Sequence, residues 1–396
     1  MSKLEELIKE HCPNGVEKVY VSDICNISRG VVISKDDIRD NPGKYPVFSS
    51  QTENGGCLGR IGTYAYDGKY ITWTTDGANA GTVFYREGKF SITNVCGLLK
   101  IKANNVDIKY LYYILSIEAP KFVNSGMGNP KLMSNVMARI QIPLPPLAVQ
   151  REIVRILDKF TLYSQELAAE LAARKKQYEF YRDKLLAHDK VRKVALKELC
   201  INHDSKRCPI TKNRRTVGQY PYYGASGIVD YVDDYLFDGH YLLVSEDGAN
   251  LLARSTPIAF SISGKVWVNN HAHVLEFDNE ATRRYVEIYL NSINLQKYVS
   301  TAAQPKLTQE NLNKIEIPLP PLAVQERIVK VLDNFDAICS DLGIGLPAEI
   351  EKRQQQYEFY RDKLLTFGTG SATIFTDRQT DRQTDRQTDR QTDRAD

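Results

Sequence analysis

The chain has 396 residues, 42% hydrophobic and 26% charged, with 52 basic and 49 acidic side chains for a formal net charge of +3. That length holds two or three domains of a soluble globular protein, and so balanced a charge says nothing alone about nucleic acid, so any basic surface must be local. No run approaches the ~18 apolar residues that would cross a bilayer, and the opening MSKLEELIKEHCPNG is polar and acidic where a signal peptide would be apolar, so no membrane partner is expected and the cytoplasm is the expected location. Seven scattered cysteines with no C-x-x-C pair indicate neither a disulfide framework nor a zinc ribbon. Cys200, His203 and Cys208 have loosely metal-like spacing but no nearby fourth ligand, and no metal is expected.

Taken in chain order, residues 1–141 read as a mixed α/β unit. Short alternating runs such as KYITWTT look like strands bounded by Gly, Asn and Asp turns, and IKYLYYILSI is a helix near the end. Residues 142–190 open with IPLPPLAVQ (Ile142 to Gln150) and continue without Gly or Pro as far as Leu199. There Ile153, Leu157, Phe160, Leu167, Leu171, Tyr178, Tyr181 and Leu185 keep a four-three spacing, the seam of a long coiled-coil helix. The prolines of PLPP fix their own φ and disfavour helix in the residue before, so a stiff element sets where the helix begins.

Residues 191–316 form a second α/β unit, with HYLLVSE as a strand and RRYVEIYLNSI as a helix. Residues 317–367 then repeat the connector: IPLPPLAVQ returns at Ile317 to Gln325, and QYEFYRDKLL occurs at both Gln177 and Gln356. Fainter echoes are Tyr45-Pro46 with Tyr220-Pro221, DGAN at Asp76 and Asp247, and PKL at Pro130 and Pro305. The second seam runs through Ile328, Leu332, Phe335 and Leu342, breaks at GIGLP, and resumes at Tyr357, Tyr360 and Leu364; Pro347 suits the first turn of a restarted helix. Residues 368–396 hold a TDRQ repeat without a core, a disordered tail.

The expected fold class is therefore α/β (α+β): two divergent mixed units joined by two long helices, with a pseudo-two-fold internal repeat. The natural partner for each long helix is the other, paired antiparallel as a coiled coil with the units at opposite ends; the alternative is that each helix lies on its own unit. ELAAELAA (Glu166 to Ala173) is a tandem four-residue repeat, either a length-setting segment or plain Ala-rich helix packing.

Repeated IPLPPL-x-x-Q before a hydrophobic helix, followed by Q-Y-x-x-Y-R-D-K-L-L, with two divergent units ahead of them, resembles the DNA-specificity (S) subunit of type I restriction-modification systems, from Met1 to about Leu365. The resemblance implies that each unit is a target recognition domain for one half of a bipartite double-stranded DNA sequence and that the helices form the spacer. It also implies that the chain has no catalytic activity and binds two methyltransferase (M) subunits and then restriction (R) subunits. S-adenosylmethionine, ATP and magnesium then belong to those partners, and no cofactor is expected in this chain.

Under that reading, DNA contacts come from polar loops. Candidates in the first unit are Ser50, Gln51, Thr52, Asn54, Thr75, Asp76, Asn79, Asn129 and Lys131. In the second they are Lys212, Arg214, Arg215, Ser226, Asn250, Arg254, Asn269, Asn270, Gln304 and Lys306. Asn and Gln suit adenine edges, Arg and Lys suit guanine or phosphate. The shared Gly-Ala-Asn residues serve equally well as a structural turn, because two different half-sites call for unshared readers. His271 and His273, two apart on a strand, read as structural.

A stand-alone methyltransferase would need a Gly-rich cofactor loop and an Asn/Asp-Pro-Pro-aromatic motif, and a motor G-x-x-x-x-G-K-[ST]; the sequence has none of these. A non-catalytic DNA-binding adaptor is favoured over a methyltransferase or nuclease, and a coiled-coil scaffold is the other alternative. The TDRQ period also fits a slipping tetranucleotide repeat in the gene, which would make the chain's end phase-variable.

Overall fold

The computed structural model describes residues 2–126, 128–187, 191–248, 250–254, 256–300 and 305–367. The TDRQ tail and Gln304 lie outside the described residues. The chain forms two compact units, one running to Glu166 and resuming at Glu351, the other Leu167–Ile350.

The first unit begins with helix α1 (Lys3–His11), started by a capping box in which Ser2 Oγ accepts from Glu5 N and Ser2 N donates to Glu5. Its strands are β1 (Lys18–Tyr20), β2 (Cys25–Arg29), β3 (Pro42–Phe48), β4 (Cys57–Ile61), β5 (Tyr66–Thr74), β6 (Val83–Ile92), β7 (Cys96–Ile101) and β8 (Gln141–Pro143). Helix α2 (Ile108–Glu118) follows β7, and the long helix α3 (Leu147–Leu186) follows β8. Six strands form one sheet in the order β2-β7-β5-β6-β3-β4, while β1 and β8 make a separate ribbon. Asp107 caps α2 by accepting from the N–H groups of Lys109 and Tyr110. The helix then lays Tyr110, Leu111, Ile114 and Leu115, one face at helical spacing, against Ile71, Trp73 and Leu99 of the sheet. On the opposite sheet face, Phe90, Ile92, Cys96 and Leu98 make a second, smaller core.

The second unit has β9 (Lys193–Ala195), β10 (Ile201–Asn202), β11 (Val217–Gly224), β12 (Gly227–Val232), β13 (Phe237–Ser245), β14 (Ala259–Val268), β15 (Ala272–Glu276) and β16 (Glu316–Pro318). Its helices are α4 (Glu280–Ser292), α5 (Leu322–Ser340) and α6 (Leu346–Leu365), the last ending in the first unit. The sheet order β10-β15-β13-β14-β11-β12 reproduces that of the first unit strand for strand, and β9 pairs with β16 as β1 pairs with β8. Register is reproduced too: Gly68 faces Gly88 in β5/β6, and Gly239 faces Gly264 in β13/β14.

The repeated connector has a repeated task. Tyr110 and Tyr285, one on each unit's helix, donate from their hydroxyls to the carbonyls of Pro143 and Pro318, each at 2.8 Å. Burial raises both phenols above their ordinary range, so both remain neutral donors. The buried Gln150 and Gln325 donate from Nε2 to Pro145 O and Pro320 O, each at 2.7 Å. A proline-rich strand leaves carbonyls with no ladder partner, and those two side chains satisfy them. About three turns into the helix that follows each connector, Asp158 takes Lys109 Nζ at 2.6 Å, and the equivalent Asp333 takes Arg284 Nε at 2.8 Å.

The helical seam forms by antiparallel pairing within each unit. In the first, Ile153 and Leu157 of α3 share a core with Leu364 of α6, and Phe160 stacks on Tyr360 at 5.5 Å with Tyr357 at 6.4 Å. In the second, Tyr178 and Leu185 share a core with Ile328 and Leu332 of α5, and the Tyr181 ring lies 5.8 Å from Phe335. Leu167 and Leu171 are half-buried.

Leu342 departs from the seam that its spacing predicts. Helix α5 ends at Ser340, Asp341 Oδ1 accepts from Gly343 N and Ile344 N, and Leu342 stands 77% exposed on the resulting turn. The chain turns so tightly that a Cβ on Gly345 would lie 2.6 Å from Ala337 O. Pro347 then sits in the first turn of α6, where its missing N–H has no helical acceptor to satisfy.

Candidate nucleic-acid interface

The echoed DGAN and PKL segments meet in space. In the first unit Asp76 bridges to Lys131, Gly77 N donates to Pro130 O at 3.0 Å and Leu132 N to Thr75 O at 2.9 Å. In the second, Asp247 bridges to Lys306, Gly248 N donates to Pro305 O at 3.2 Å and Leu307 N to Glu246 O at 2.7 Å. The shared residues thus make a clasp joining the end of the central strand (β5 or β13) to the segment before the connector. A shared backbone task explains a shared sequence.

Around the first clasp, three loops are tied together. Asn79 Nδ2 donates to Thr52 Oγ1 at 3.2 Å, joining the β5–β6 and β3–β4 loops, and Lys131 Nζ lies 3.6 Å from Asp76. Gln51 is half-buried, donating to Cys57 O at 2.6 Å, and Ser50 is half-buried beside it. Asn54, Asn79, Asn129 and Lys131 are exposed. Thr75 is fully buried, its hydroxyl donating to Asp76 at 2.6 Å, so its side chain is spent on the clasp. Arg29, at the end of β2, adds a second cation to Asp76 at 3.4 Å. Composition offered no signal for Arg29, because it lies 47 residues from its partner.

The second clasp is more heavily charged. Glu246 takes Arg207 Nη1 at 2.5 Å and Lys306 Nζ at 3.0 Å. The fully buried His273 donates from Nε2 to Leu307 O at 2.8 Å, and its Nδ1 lies 2.5 Å from Asp204. Burial alone would raise both carboxyls, but contacts with His273, Val274 N–H and Arg207 hold Asp204 below its ordinary value, and Arg207 and Lys306 do the same for Glu246. Asp204, Glu246 and His273 are the one group among the described residues whose possible metal-ligating atoms lie within 4.8 Å of one another. Each carboxylate there already faces protein cations, and neither Cys200, His203 nor Cys208 belongs to the group.

The remaining candidates of the second unit divide by what their side chains already hold. Ser226 and Asn270 are exposed, and the hairpin carrying Ser226 is tied to the clasp by Ser245 Oγ donating to Ala225 O at 2.5 Å. Asn269 is buried and accepts from His271 N at 2.8 Å, while His271 reaches Asp247 at 2.8 Å. Asn250 closes its own loop onto Thr256 through 2.9 and 3.0 Å bonds. Arg254 donates to the carbonyls of Leu290 and Ile293, sealing the end of α4. Arg215 pairs with Asp230 at 3.1 Å over the Tyr222 ring. Its neighbours Lys212 and Arg214 are exposed, on a stretch that packs beside β11 and not at the clasp.

Two sheets of one topology thus each carry, at one end, a clasp of shared backbone ringed by unshared polar loops. That class of molecule is a duplicated recognition scaffold. The family model for the type I restriction modification DNA specificity domain matches residues 13–173 and again 188–352, and the chain belongs to that family. It is a type I specificity subunit. A Mycoplasma pneumoniae protein described as a candidate type I specificity subunit is 34% identical over 361 residues, covering 87% of this chain and 96% of the relative. The type I restriction enzyme MpnII specificity subunit of the same organism is 47% identical over 171 residues, 42% of this chain and 52% of that one. The crystal structure of an S subunit from M. genitalium shares the fold with a TM-score of 0.57 at 16% identity, covering 90% of this chain and 98% of that one. No helix among the described residues is long and apolar enough to cross a membrane.

Proposed function

We propose that this specificity subunit reads a bipartite double-stranded DNA sequence, one half-site per unit, and recruits two methyltransferase subunits and the restriction subunits while catalysing nothing itself. S-adenosylmethionine, ATP and magnesium belong to those partners in this reading. The observation that carries it is the contrast between copies: strand order, register and connector clamps are repeated, while the loops around each clasp differ. A protein that keeps one assembly geometry and reads two sequences requires that division. Joining two readers makes the second contact effectively intramolecular, and each good base contact adds ~1–3 kcal/mol of discrimination.

The test is a map of methylated adenines in cells carrying this gene with its neighbouring methyltransferase gene, against cells lacking only this gene. A split motif that disappears on deletion is the expected result; an unchanged methylome sinks the reading and favours a scaffold. The ELAAELAA segment, exposed on α3 except at Leu167 and Leu171, sets the gap in the same proposal. A third ELAA copy adds ~6 Å of helix and should lengthen the motif's gap by one or two base pairs; an unchanged gap makes the repeat ordinary helix packing.

A further inference from the structure

On the sheet face away from its main helix, the second unit packs an apolar layer. Ile262 and Leu243 are buried there, with Tyr223 and Phe260 against them. Register identifies the same positions in the first unit: Tyr241 faces Ile262 as Tyr70 faces Arg86, Leu243 faces Phe260 as Thr72 faces Phe84, and Tyr223 corresponds to Phe48. An arginine therefore stands where the sister unit has isoleucine.

Arg86 is only 9% exposed. Its Nε donates to Thr72 Oγ1 at 3.1 Å, and its guanidinium lies between two rings, 3.5 Å from the Phe48 centroid and 4.3 Å from that of Phe84. Among the described residues no carboxylate pairs with it, and Nη2 is buried without any hydrogen-bond partner. Burial brings its pKa down to about 10, which leaves it charged at neutral pH. Stacking on rings offsets part of the lost hydration, but a buried cation with an orphan N–H is a costly arrangement. The fold does not demand it, since the sister unit does without.

A second difference lies directly above. Between β11 and β12 the chain turns through Ala225 and Ser226, whereas between β3 and β4 it runs through residues 49–56, the loop holding Ser50, Gln51, Thr52 and Asn54. Asn54, Gly55 and Gly56 all have positive φ (50°, 62° and 83°), and a Cβ on Gly56 would lie 3.0 Å from Arg86 Nη2. The loop covers the free N–H at contact distance. A non-glycine residue in the left-handed region is held at a cost that a rearranged loop would not bear.

We propose that Arg86 is a specificity-determining residue of the first unit, whose free Nη2 takes an acceptor of the DNA, a guanine edge or a phosphate oxygen, when the 49–56 loop moves off it. This rests on the DNA-reading function proposed above. Nothing in the sequence hints at it, because Arg86 lies mid-strand, between Tyr85 and Glu87, and not in a polar loop.

The test uses the complex with its methyltransferase partner and two neutral replacements: Arg86→Ile combined with Thr72→Leu, the pair that the sister unit tolerates, and Arg86→Met. Methylation motifs, DNA affinity against salt, and melting temperature are measured beside wild type; absence of any split motif in wild type would sink the DNA-reading function and this residue's part with it, whereas the outcomes below, with the wild-type motif present, bear on Arg86 alone. A guanine contact predicts relaxation at one G position of the first half-site by ~10- to 100-fold with the second half-site intact. A phosphate contact predicts an unchanged motif, weaker binding and a salt slope shallower by ~1. A folded variant with motif, affinity and salt slope unchanged overturns the proposal. So does failure of both variants to fold, since the guanidinium would then be holding the core.

Discussion

The two units solve one problem in different ways. In each, the carbonyl of the PKL leucine is turned into the sheet and needs a donor. In the first unit the Trp73 indole on β5 supplies it, Nε1 to Leu132 O at 3.0 Å, and the facing residue on β7 is Gly97, where a Cβ would meet the indole at 2.2 Å. In the second unit Val244 takes the place of the tryptophan, and His273, in the place of the glycine, donates to Leu307 O. The donor has moved one strand over and its partner has changed size to match. What is preserved is the satisfied carbonyl, which explains how units of such different sequence keep one topology.

The largest expected break in that comparison is Trp73→Ala, which removes a fully buried ring and the carbonyl's donor together. It should destabilise the first unit by ~3–5 kcal/mol, whereas Val244→Ala should cost the second about half as much. Hydrogen exchange resolved by unit measures both, and equal losses would mean that the two clasps are not differently built.

Acid should separate the units next. Asp204 and Glu246 are held below their ordinary values by His273, Arg207 and Lys306 in spite of burial. A carboxyl depressed on folding contributes stability present above its unfolded value, ~4, and lost as pH falls through the folded one. The second unit should therefore weaken as pH falls below ~4, with Arg207→Gln flattening that dependence; the buried Glu287, which burial raises, works in the opposite sense. Urea midpoints followed through Trp267 fluorescence in a Trp73→Phe background check it.

A smaller asymmetry lies in the connector glutamines. Gln150 donates to both Pro145 O and Asn105 O and accepts from Asp107 N at 2.8 Å, whereas buried Gln325 Oε1 has no partner among the described residues. Gln150→Ala should cost ~2–3 kcal/mol and Gln325→Ala ~1 kcal/mol, measured by thermal unfolding; the reverse order would mean that Gln325 gains a partner in solution. Least of all, Lys109→Ala at the half-exposed pair with Asp158 should cost no more than ~1 kcal/mol and lose its effect at high salt.

The seam, the connectors and the duplication were legible in sequence because they are local: a four-three spacing, the three prolines of each connector and the lack of any in the first long helix, and near-identical words repeated. Leu342 misled for the same reason, since spacing continued past Ser340 while Asp341 and Gly345 turned the chain. For the candidate interface, polarity in sequence does not tell which side chains are left available. Asn54, Asn79, Asn129, Asn270, Lys212 and Arg214 do stand in the open, but Thr75, Asn269, Arg215 and Arg254, chosen by the same criterion, spend their side chains inside the protein.

The sequence by itself determined the two-unit plan, the long helices and the place where each begins, because backbone preference and apolar period act over a few residues. Only the tertiary structure decided which polar groups are consumed and which remain for a partner. Arg29 meets Asp76 across 47 residues, Asp204 meets His273 across 69, and Arg86 lies under a loop some thirty residues earlier in the chain. Electrostatic and hydrogen-bond partners are chosen by distance in space, and chain proximity carries no record of them.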